Sequence, residues 1–170
     1  MAIDMKMAAL FAATKVLVVD DEYYMRKVVR TLLMSIGVGN VHEAADGFDG
    51  LEQIRRTEPD VVIVDWQMPE LDGPGFVRMV RSPKTFSYPD VPIIMLTGHG
   101  ERSRVIEAVQ IGVNEFLLKP VSAKALEERL VAVLTHPRPI VQSGGYYGPE
   151  PRNFMAGIHA DNDSAIAMLD

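Results

Sequence analysis

The chain has 170 residues, 48% of them hydrophobic, which is enough for one domain of ordinary size with a substantial core. Its formal net charge of −6 comes from 17 basic and 23 acidic residues spread along the chain, which argues against a dedicated nucleic-acid-binding domain. There is no cysteine, which excludes disulfides, thiolate metal sites and a cysteine nucleophile, and no segment approaches the roughly 20 apolar residues of a membrane span.

Residues 1–13 are interpreted as an N-terminal extension ahead of the first strand. The stretch from Met7 to Ala13 is apolar, but Asp4 and a single Lys6 make a poor basic region for a signal peptide. We therefore expect a short helical turn here, followed directly by the folded domain.

From Lys15 onward, short β-branched runs alternate with segments whose apolar residues recur at helical spacing. In chain order the predicted elements are a strand at 15–19, a helix at 22–37, a strand at 41–44, a helix at 46–56, a strand at 60–65, a helix at 73–82, a strand at 91–97, a helix at 101–112, a strand at 115–118 and a helix at 122–134. The strands lack polar alternation, which is typical of parallel strands buried on both faces. The sequence therefore predicts an α/β fold with an open, doubly wound parallel sheet and helices on both faces.

The segment at 136–170 differs in composition from the rest, because it is rich in proline and glycine and has no hydrophobic period until its last residues. We interpret it as a tail without an output domain. Two alternatives remain open: a disordered or lightly packed tail, or docking of "QSGGYYGPE" on the domain or on a partner, with Tyr146 and Tyr147 as aromatic anchors. Residues 160–170 are compatible with a short helix.

Polar side chains follow four of the predicted strands, at the point where each strand ends. In doubly wound sheets, ligands bind outside the carboxyl ends of the strands, so these side chains are expected to meet. They are Asp20 and Asp21 after the first strand, Asp65 at the end of the third, Thr97 at the end of the fourth and Lys119 after the fifth.

Three neighbouring carboxylates repel one another unless a cation lies among them. Mg²⁺ suits such a site, because it takes oxygen ligands and keeps several waters. With Mg²⁺ and Lys119 in place, a carboxylate can act as a nucleophile toward phosphorus. Thr97 can then donate its hydroxyl to a phosphoryl oxygen.

Four stretches carry a resemblance to a known family: "VLVVDDE", "VDWQMPELDG", "IIMLTGHG" and "EFLLKP". In this order they resemble the receiver domain of two-component response regulators, especially the stand-alone, CheY-like chemotaxis type. The resemblance covers about residues 14–135, which we take as the receiver domain. It implies a flavodoxin-like, five-stranded sheet with strand order 2-1-3-4-5.

The resemblance also implies a role for each acidic residue of the site. Asp65 is the expected phosphoacceptor. Asp20 and Asp21 are expected to hold Mg²⁺ together with Asp65 and the backbone carbonyl of Gln67.

Three further residues take roles from the resemblance. Thr97 is the expected switch hydroxyl, and Lys119 pairs with the phosphoryl group and precedes a proline whose peptide bond is usually cis in the family. Phe116 occupies the position of the switch aromatic, with simple core packing as its alternative role. On phosphorylation we expect Thr97 to move toward the phosphoryl oxygens and Phe116 to turn inward.

The function implied is that of a single-domain response regulator, a phosphoacceptor switch and not an enzyme. It would take a phosphoryl group from a histidine kinase or phosphotransfer protein and signal to an unknown downstream protein through the face formed by the fourth helix, fifth strand and fifth helix. Ile106, Val109, Glu115 and Phe116 are the candidate surface residues. A cytoplasmic location and a possible homodimer are expected, with no nucleic-acid partner and no membrane insertion.

Chemotaxis regulator, phosphorelay intermediate and phosphate sink remain open as biological roles. An aspartyl phosphatase is a weaker alternative, since such enzymes commonly carry a second Asp where this chain has Gln67. A flavin-binding module is disfavoured because the acidic loop after the first strand would repel a phosphate. Trp66 is expected to be partly exposed beside the site, and Asp46, Asp49, Asp60 and Asp72 to act as caps and turn residues.

Overall fold

A parallel five-stranded sheet lies at the centre of the structure, a computed structural model that describes residues 2–98, 100 and 102–151. The elements in chain order are α1 (Ala2–Ala13), β1 (Lys15–Val19), α2 (Tyr23–Ser35), β2 (Asn40–Ala44), α3 (Gly47–Thr57), β3 (Val61–Asp65), α4 (Gly73–Val80), β4 (Ile93–Thr97), α5 (Arg102–Ile111), β5 (Glu115–Leu118), α6 (Ala123–Thr135), β6 (Ile140–Ser143) and β7 (Tyr146–Pro149). The terminal helix considered for residues 160–170 lies outside the described residues.

The strand order is β2-β1-β3-β4-β5, and all four pairings in this sheet are parallel, which confirms the predicted fold class. Successive side chains of each strand point to opposite faces of the sheet. One face packs against α3, α4 and α5, with Val19, Val64 and Met95 at its centre. The other packs against α2 and α6, around Val18 and Ile63. Helices therefore cover both faces, and the central strands β3 and β4 are apolar up to the polar residue at the carboxyl end of each, because neither face meets water.

The N-terminal segment forms a helix of 12 residues, where the sequence predicted a short turn. Phe11 is only 2% exposed and belongs to the same core as Leu33 and Val38. The backbone N–H of Gly39 donates to the carbonyl of Phe11, and a Cβ at Gly39 would lie 1.9 Å from the carbonyl oxygen of Ala12. Glycine at this position allows the helix to approach closely, so tertiary packing extends α1 beyond what its sequence pattern predicts.

Residues 140–149 form an antiparallel hairpin, which favours the docked alternative for this part of the tail. Ser143 pairs with Tyr146, so Gly144 and Gly145 form a two-residue turn, and Gly144 has a φ of 59°. Such turns require positive φ, for which a Gly-Gly pair is suited. The hairpin contacts the turn between α5 and β5, where a Cβ on Gly112 would lie 3.1 Å from the carbonyl oxygen of Tyr147.

Arg81, at the C-terminal end of α4, donates hydrogen bonds to the chain segments that lie next to this hairpin. Its Nε donates to the carbonyl of Gly112 at 2.9 Å, and its Nη1 donates to the carbonyls of Pro89 at 2.6 Å and Val91 at 2.7 Å. Nη2 donates to Oδ1 of Asn114 at 2.9 Å. Burial lowers the pKa of Arg81 to about 10, so the guanidinium still carries its charge at neutral pH. One buried cation thereby links the end of α4 to the turn between α5 and β5, which the hairpin contacts.

Replacing Tyr147 by Phe is expected to loosen the hairpin, because the Tyr147 hydroxyl donates to the carboxylate of Asp90. Loss of this partly exposed bond should cost about 1 kcal/mol. Amide exchange along β7 should therefore be roughly fivefold faster. Tyr24→Phe is the matched control, since Tyr24 is 75% exposed. Equal exchange rates in the two variants would show that this hydroxyl does not hold the hairpin.

Candidate functional site

An open pocket of about 640 Å³ lies at the carboxyl edge of the sheet, where the sequence predicted a site. Five of the predicted site residues line it: Asp21, Asp65, Gln67, Thr97 and Lys119. Asp20 lies directly beneath them and is 1% exposed. The structure therefore brings together every residue of the predicted Mg²⁺ and phosphoryl site. Among the described helices none is both long enough and apolar enough to cross a membrane.

Local backbone contacts fix the two acidic loops. Asp20 follows β1 directly, and its Oδ1 accepts from the backbone N–H of Glu22 at 2.9 Å. After β3 the chain turns back on itself, so that the N–H of Gly73 donates to the carbonyl of Trp66 at 2.8 Å. A Cβ on Gly73 would lie 2.5 Å from the carbonyl oxygen of Asp65. Glycine is therefore required for this turn to close beside the central carboxylate.

Asp20, Asp21 and Asp65 each offer a carboxylate oxygen, and these atoms lie within 4.8 Å of one another. The Nζ of Lys119 lies 2.8 Å from Oδ1 of Asp65 and 4.0 Å from Oδ2 of Asp20. The backbone N–H of Lys119 donates to the carbonyl of Thr97, which continues the pairing of β4 with β5 to the pocket. The peptide bond between Lys119 and Pro120 is cis, as the resemblance implied. The ammonium thus reaches two of the three acids.

Burial shifts the ionisation of these groups. Desolvation, together with the nearby charge of Asp65, raises the pKa of Asp20 to about 6, although the hydrogen bond from the N–H of Glu22 opposes the shift. Desolvation also raises the pKa of Asp65, although the hydrogen bond and charge of Lys119 oppose the shift. For Lys119, desolvation lowers the pKa, but the hydrogen bond and charge of Asp65 outweigh it, so the pKa is raised overall. Lys119 is therefore positively charged at neutral pH, whereas burial disfavours the ionised forms of Asp20 and Asp65.

The donor set fits a hard divalent cation. Oδ2 of Asp20 is buried and has no hydrogen-bond partner among the described residues. An orphaned buried carboxylate oxygen is costly, and a cation among the three acids would satisfy it. Carboxylate oxygens beside an open, water-accessible pocket are typical of Mg²⁺, which retains several of its waters. Asp20, Asp21 and Asp65 are the residues that would hold it.

Trp66 is 7% exposed, so the prediction that it would be partly exposed is wrong. Its ring packs into the core on the side of α3, α4 and α5, and the guanidinium of Arg104 lies over it at 5.1 Å from the ring centroid. Nη1 of Arg104 also donates to Oγ1 of Thr97 at 2.9 Å. Sequence reasoning missed Arg104. The available signal was its place in the first turn of the helix that follows the Thr97 loop.

The candidate partner surface needs correction at two residues. Glu115 is 3% exposed and Phe116 is 4% exposed, so neither side chain is available to a partner in this conformation. They alternate across the sheet: Phe116 packs toward α5, and Oε2 of Glu115 lies 3.9 Å from Nε of Arg129 in α6. Phe116 is thus already inward in this structure. Ile106 and Val109 of α5 are partly exposed.

Two of the four remaining acids, Asp46 and Asp72, cap helices as predicted, whereas Asp49 lies within the first turn of α3 and Oδ2 of Asp60 accepts from the backbone N–H of Lys15 at 2.8 Å. Oδ1 of Asp46 accepts from the N–H of Asp49 at 2.7 Å at the start of α3. Oδ1 of Asp72 accepts from the N–H of Gly75 at 2.8 Å at the start of α4. These bonds satisfy helix N–H groups that have no partner within the helix.

Comparison with known proteins agrees with this geometry. The family model described as the response regulator receiver domain matches residues 16–131. The chemotaxis protein CheY-3 of Vibrio cholerae is 36% identical over 116 residues, covering 68% of this chain and 88% of the relative. The CheY homolog of Campylobacter jejuni is 40% identical over 121 residues, covering 71% of this chain and 92% of the relative.

Solved structures give the same result for the fold. The structure of CheY4 of Vibrio cholerae matches with a TM-score of 0.65 at 35% identity, over 71% of this chain and 98% of that chain. A response regulator from Chloroflexus aurantiacus matches with a TM-score of 0.66 at 32% identity, over 72% and 98%. Family model, relatives and fold agree, and the chain belongs to the response regulator receiver domain family, with a receiver of the CheY-like type.

Proposed function

We propose that the chain is a Mg²⁺-dependent phosphoacceptor switch that receives a phosphoryl group on Asp65 from a histidine kinase or phosphotransfer protein. The observation that carries the proposal is the joint position of three carboxylates and Lys119 at one edge of the sheet, with the ammonium 2.8 Å from Oδ1 of Asp65. A carboxylate flanked by a fixed ammonium and a cation site is suited to nucleophilic attack on phosphorus.

In the transfer step, a carboxylate oxygen of Asp65 forms a bond to phosphorus while the bond from phosphorus to the donor nitrogen breaks. The donor imidazole leaves with that electron pair, and the product is an acyl phosphate on Asp65. Lys119 favours the ionised, nucleophilic form of Asp65 and offsets charge on the phosphoryl oxygens. A bound Mg²⁺ would supply further positive charge against the carboxylates and phosphoryl oxygens.

Thr97 is placed to sense the product. Its hydroxyl accepts a hydrogen bond from Arg104, and a threonine hydroxyl also carries one proton that it can donate. An aspartyl phosphate at Asp65 would add negative charge and acceptor oxygens, toward which that proton can turn. Movement of Thr97 would alter the start of α5, because α5 begins only five residues after Thr97.

Signalling would then occur by protein contact through the face formed by α5, β5 and α6, which corresponds to the predicted fourth helix, fifth strand and fifth helix. Ile106 and Val109 support this choice, since both are partly exposed apolar residues on α5. A partner shifts the equilibrium between the two conformations only by its differential affinity for this face. The relatives are named chemotaxis proteins, which favours the chemotaxis role among the three open alternatives.

We assign the phosphoacceptor function to residues 14–135, with 1–13 and 136–170 as appended segments. The second segment contacts this face at the turn between α5 and β5, where Arg138, just before the hairpin, donates to the backbone carbonyl of Asn114. The partner is therefore expected to bind nearer the N-terminal end of α5, away from the hairpin.

The test uses Trp66, the one tryptophan of the chain, which lines the pocket beside Asp65. Titration with Mg²⁺ should give a saturable change in fluorescence that EDTA reverses. Acetyl phosphate should then give a second change, accompanied by a phosphoryl group that is detected by intact mass and removed by hydroxylamine. An unresponsive protein with a normal thermal unfolding transition would contradict the proposal.

A further inference from the structure

Arg104 joins two separate parts of the pocket from the first turn of α5. Its Nη1 donates to Oγ1 of Thr97 at 2.9 Å, and its guanidinium carbon lies 5.1 Å from the centroid of the Trp66 ring. Thr97 and Trp66 are 1% and 7% exposed, so both partners are fixed by the core. The residue on α5 is therefore anchored to the end of β4 and to the residue that follows Asp65.

The two contacts suit arginine in particular. A guanidinium makes charge-assisted hydrogen bonds in its plane and stacks on aromatic rings through its face, so one side chain can serve both partners at once. Lysine would keep the charge but offers a compact ammonium without a planar face. Glutamine carries no charge, and its amide nitrogen ends two bonds short of the Nη atoms, so it would lose both contacts.

We propose that Arg104 is a positioning residue that holds the Thr97 hydroxyl in its unphosphorylated position and thereby sets how readily α5 responds to phosphorylation of Asp65. The inference rests on the proposed function, since it assigns regulation to that same site. A phosphoryl group on Asp65 competes with Arg104 for the side chain of Thr97. As Thr97 moves toward the phosphoryl oxygens, it moves away from Arg104 and the bond between the two side chains breaks.

The direction of the effect follows from this competition. The bond from Arg104 is made in the unphosphorylated conformation, so it stabilises that conformation against the phosphorylated one. Removing it should make the phosphorylated conformation easier to reach. Loss of one charge-assisted hydrogen bond corresponds to a change of roughly tenfold in the equilibrium.

The experiment measures binding of beryllofluoride, a phosphoryl mimic, to the Mg²⁺-loaded full chain by ¹⁹F NMR, which does not depend on Trp66. Arg104→Gln should bind beryllofluoride roughly tenfold more tightly than the wild type. Arg104→Lys should fall between the two, because it retains the charge. Arg56→Gln is the control for the loss of one positive charge, since Arg56 is exposed in the last turn of α3 and does not line the pocket, and it should match the wild type.

A double-mutant cycle separates positioning from general structural effects. Thr97→Val removes the hydroxyl with little change of shape, so Arg104→Gln should have no further effect on beryllofluoride affinity in that background. Trp66 fluorescence of the metal-free protein should also change in Arg104→Gln and not in Arg56→Gln.

Three results would overturn the inference. The first is an affinity of Arg104→Gln equal to or weaker than that of the wild type, with thermal unfolding unchanged. The second is an effect of the same size with and without the Thr97 hydroxyl. The third is no binding of beryllofluoride by the wild type, which would also remove the proposed function, whereas the first two would leave it intact.

Discussion

Asp65→Asn should take up no phosphoryl group from acetyl phosphate under conditions in which the wild type is fully modified. The amide lacks the anionic oxygen that attacks phosphorus, and removing a nucleophile costs several orders of magnitude in rate. Asp65 is also the one acid of the cluster in hydrogen-bond contact with Lys119, at 2.8 Å. Neither Asp20 nor Asp21 is placed to substitute for it. Intact mass spectrometry after incubation with Mg²⁺ and acetyl phosphate makes the measurement.

Asp21→Asn is the control for this prediction. Asp21 is exposed at the pocket mouth, so its loss should weaken Mg²⁺ binding while leaving the nucleophile in place. This variant should therefore still be modified when Mg²⁺ is raised, whereas Asp65→Asn should not. Modification of Asp65→Asn at a rate near that of the wild type would place the phosphoacceptor on another residue.

The sheet could be predicted because its signals are local and repeated. Runs such as Val61 to Val64 are apolar on both faces, which only buried parallel strands require, and each helix between them shows its own period. The site followed from the same pattern, because the rule for parallel sheets places all strand ends at one edge. The meeting of these side chains could therefore be predicted, whereas burial of Asp20 and the contact of Lys119 with Asp65 were found only in the structure.

Features that depend on contacts between distant segments were not predictable in the same way. The length of α1 depends on packing of Phe11 in the same core as Val38. The hairpin depends on a turn formed by two glycines, which are equally typical of a flexible linker. Burial of Trp66 reflects packing against three helices and stacking by Arg104. In each case the local sequence permits two structures, and tertiary contacts select one.

Asp20→Asn should raise the stability of the metal-free protein at neutral pH by roughly 1 to 2 kcal/mol. In the folded chain the pKa of Asp20 is raised to about 6 from its usual 3.8, chiefly by desolvation, so the ionised form is disfavoured there. A difference of this size corresponds to at most about 3 kcal/mol between the two protonation states, and solvent in the open pocket and the unpaired amide nitrogen of the variant offset part of it. The amide can still accept the bond from the N–H of Glu22 through its Oδ1, and it has no charge to desolvate. Urea unfolding in EDTA makes the comparison.

The stability difference between Asp20→Asn and the wild type should depend on pH. Between about pH 4 and pH 6 the folded wild type binds a proton at Asp20 that the unfolded chain releases, so its stability falls as pH rises through this window. Asp20→Asn lacks this loss of stability, and its gain in stability over the wild type should therefore grow from near zero at pH 4 to its full value above pH 6.

Mg²⁺ should reverse the order of stability of the two proteins, because it stabilises the wild type through a carboxylate that the variant lacks. Asp21→Asn should weaken Mg²⁺ binding without the gain in metal-free stability, since Asp21 is exposed. A metal-free Asp20→Asn that is no more stable than the wild type at pH 7 would mean that Asp20 is solvated or paired in solution, and the argument that its buried oxygen requires a cation would fail.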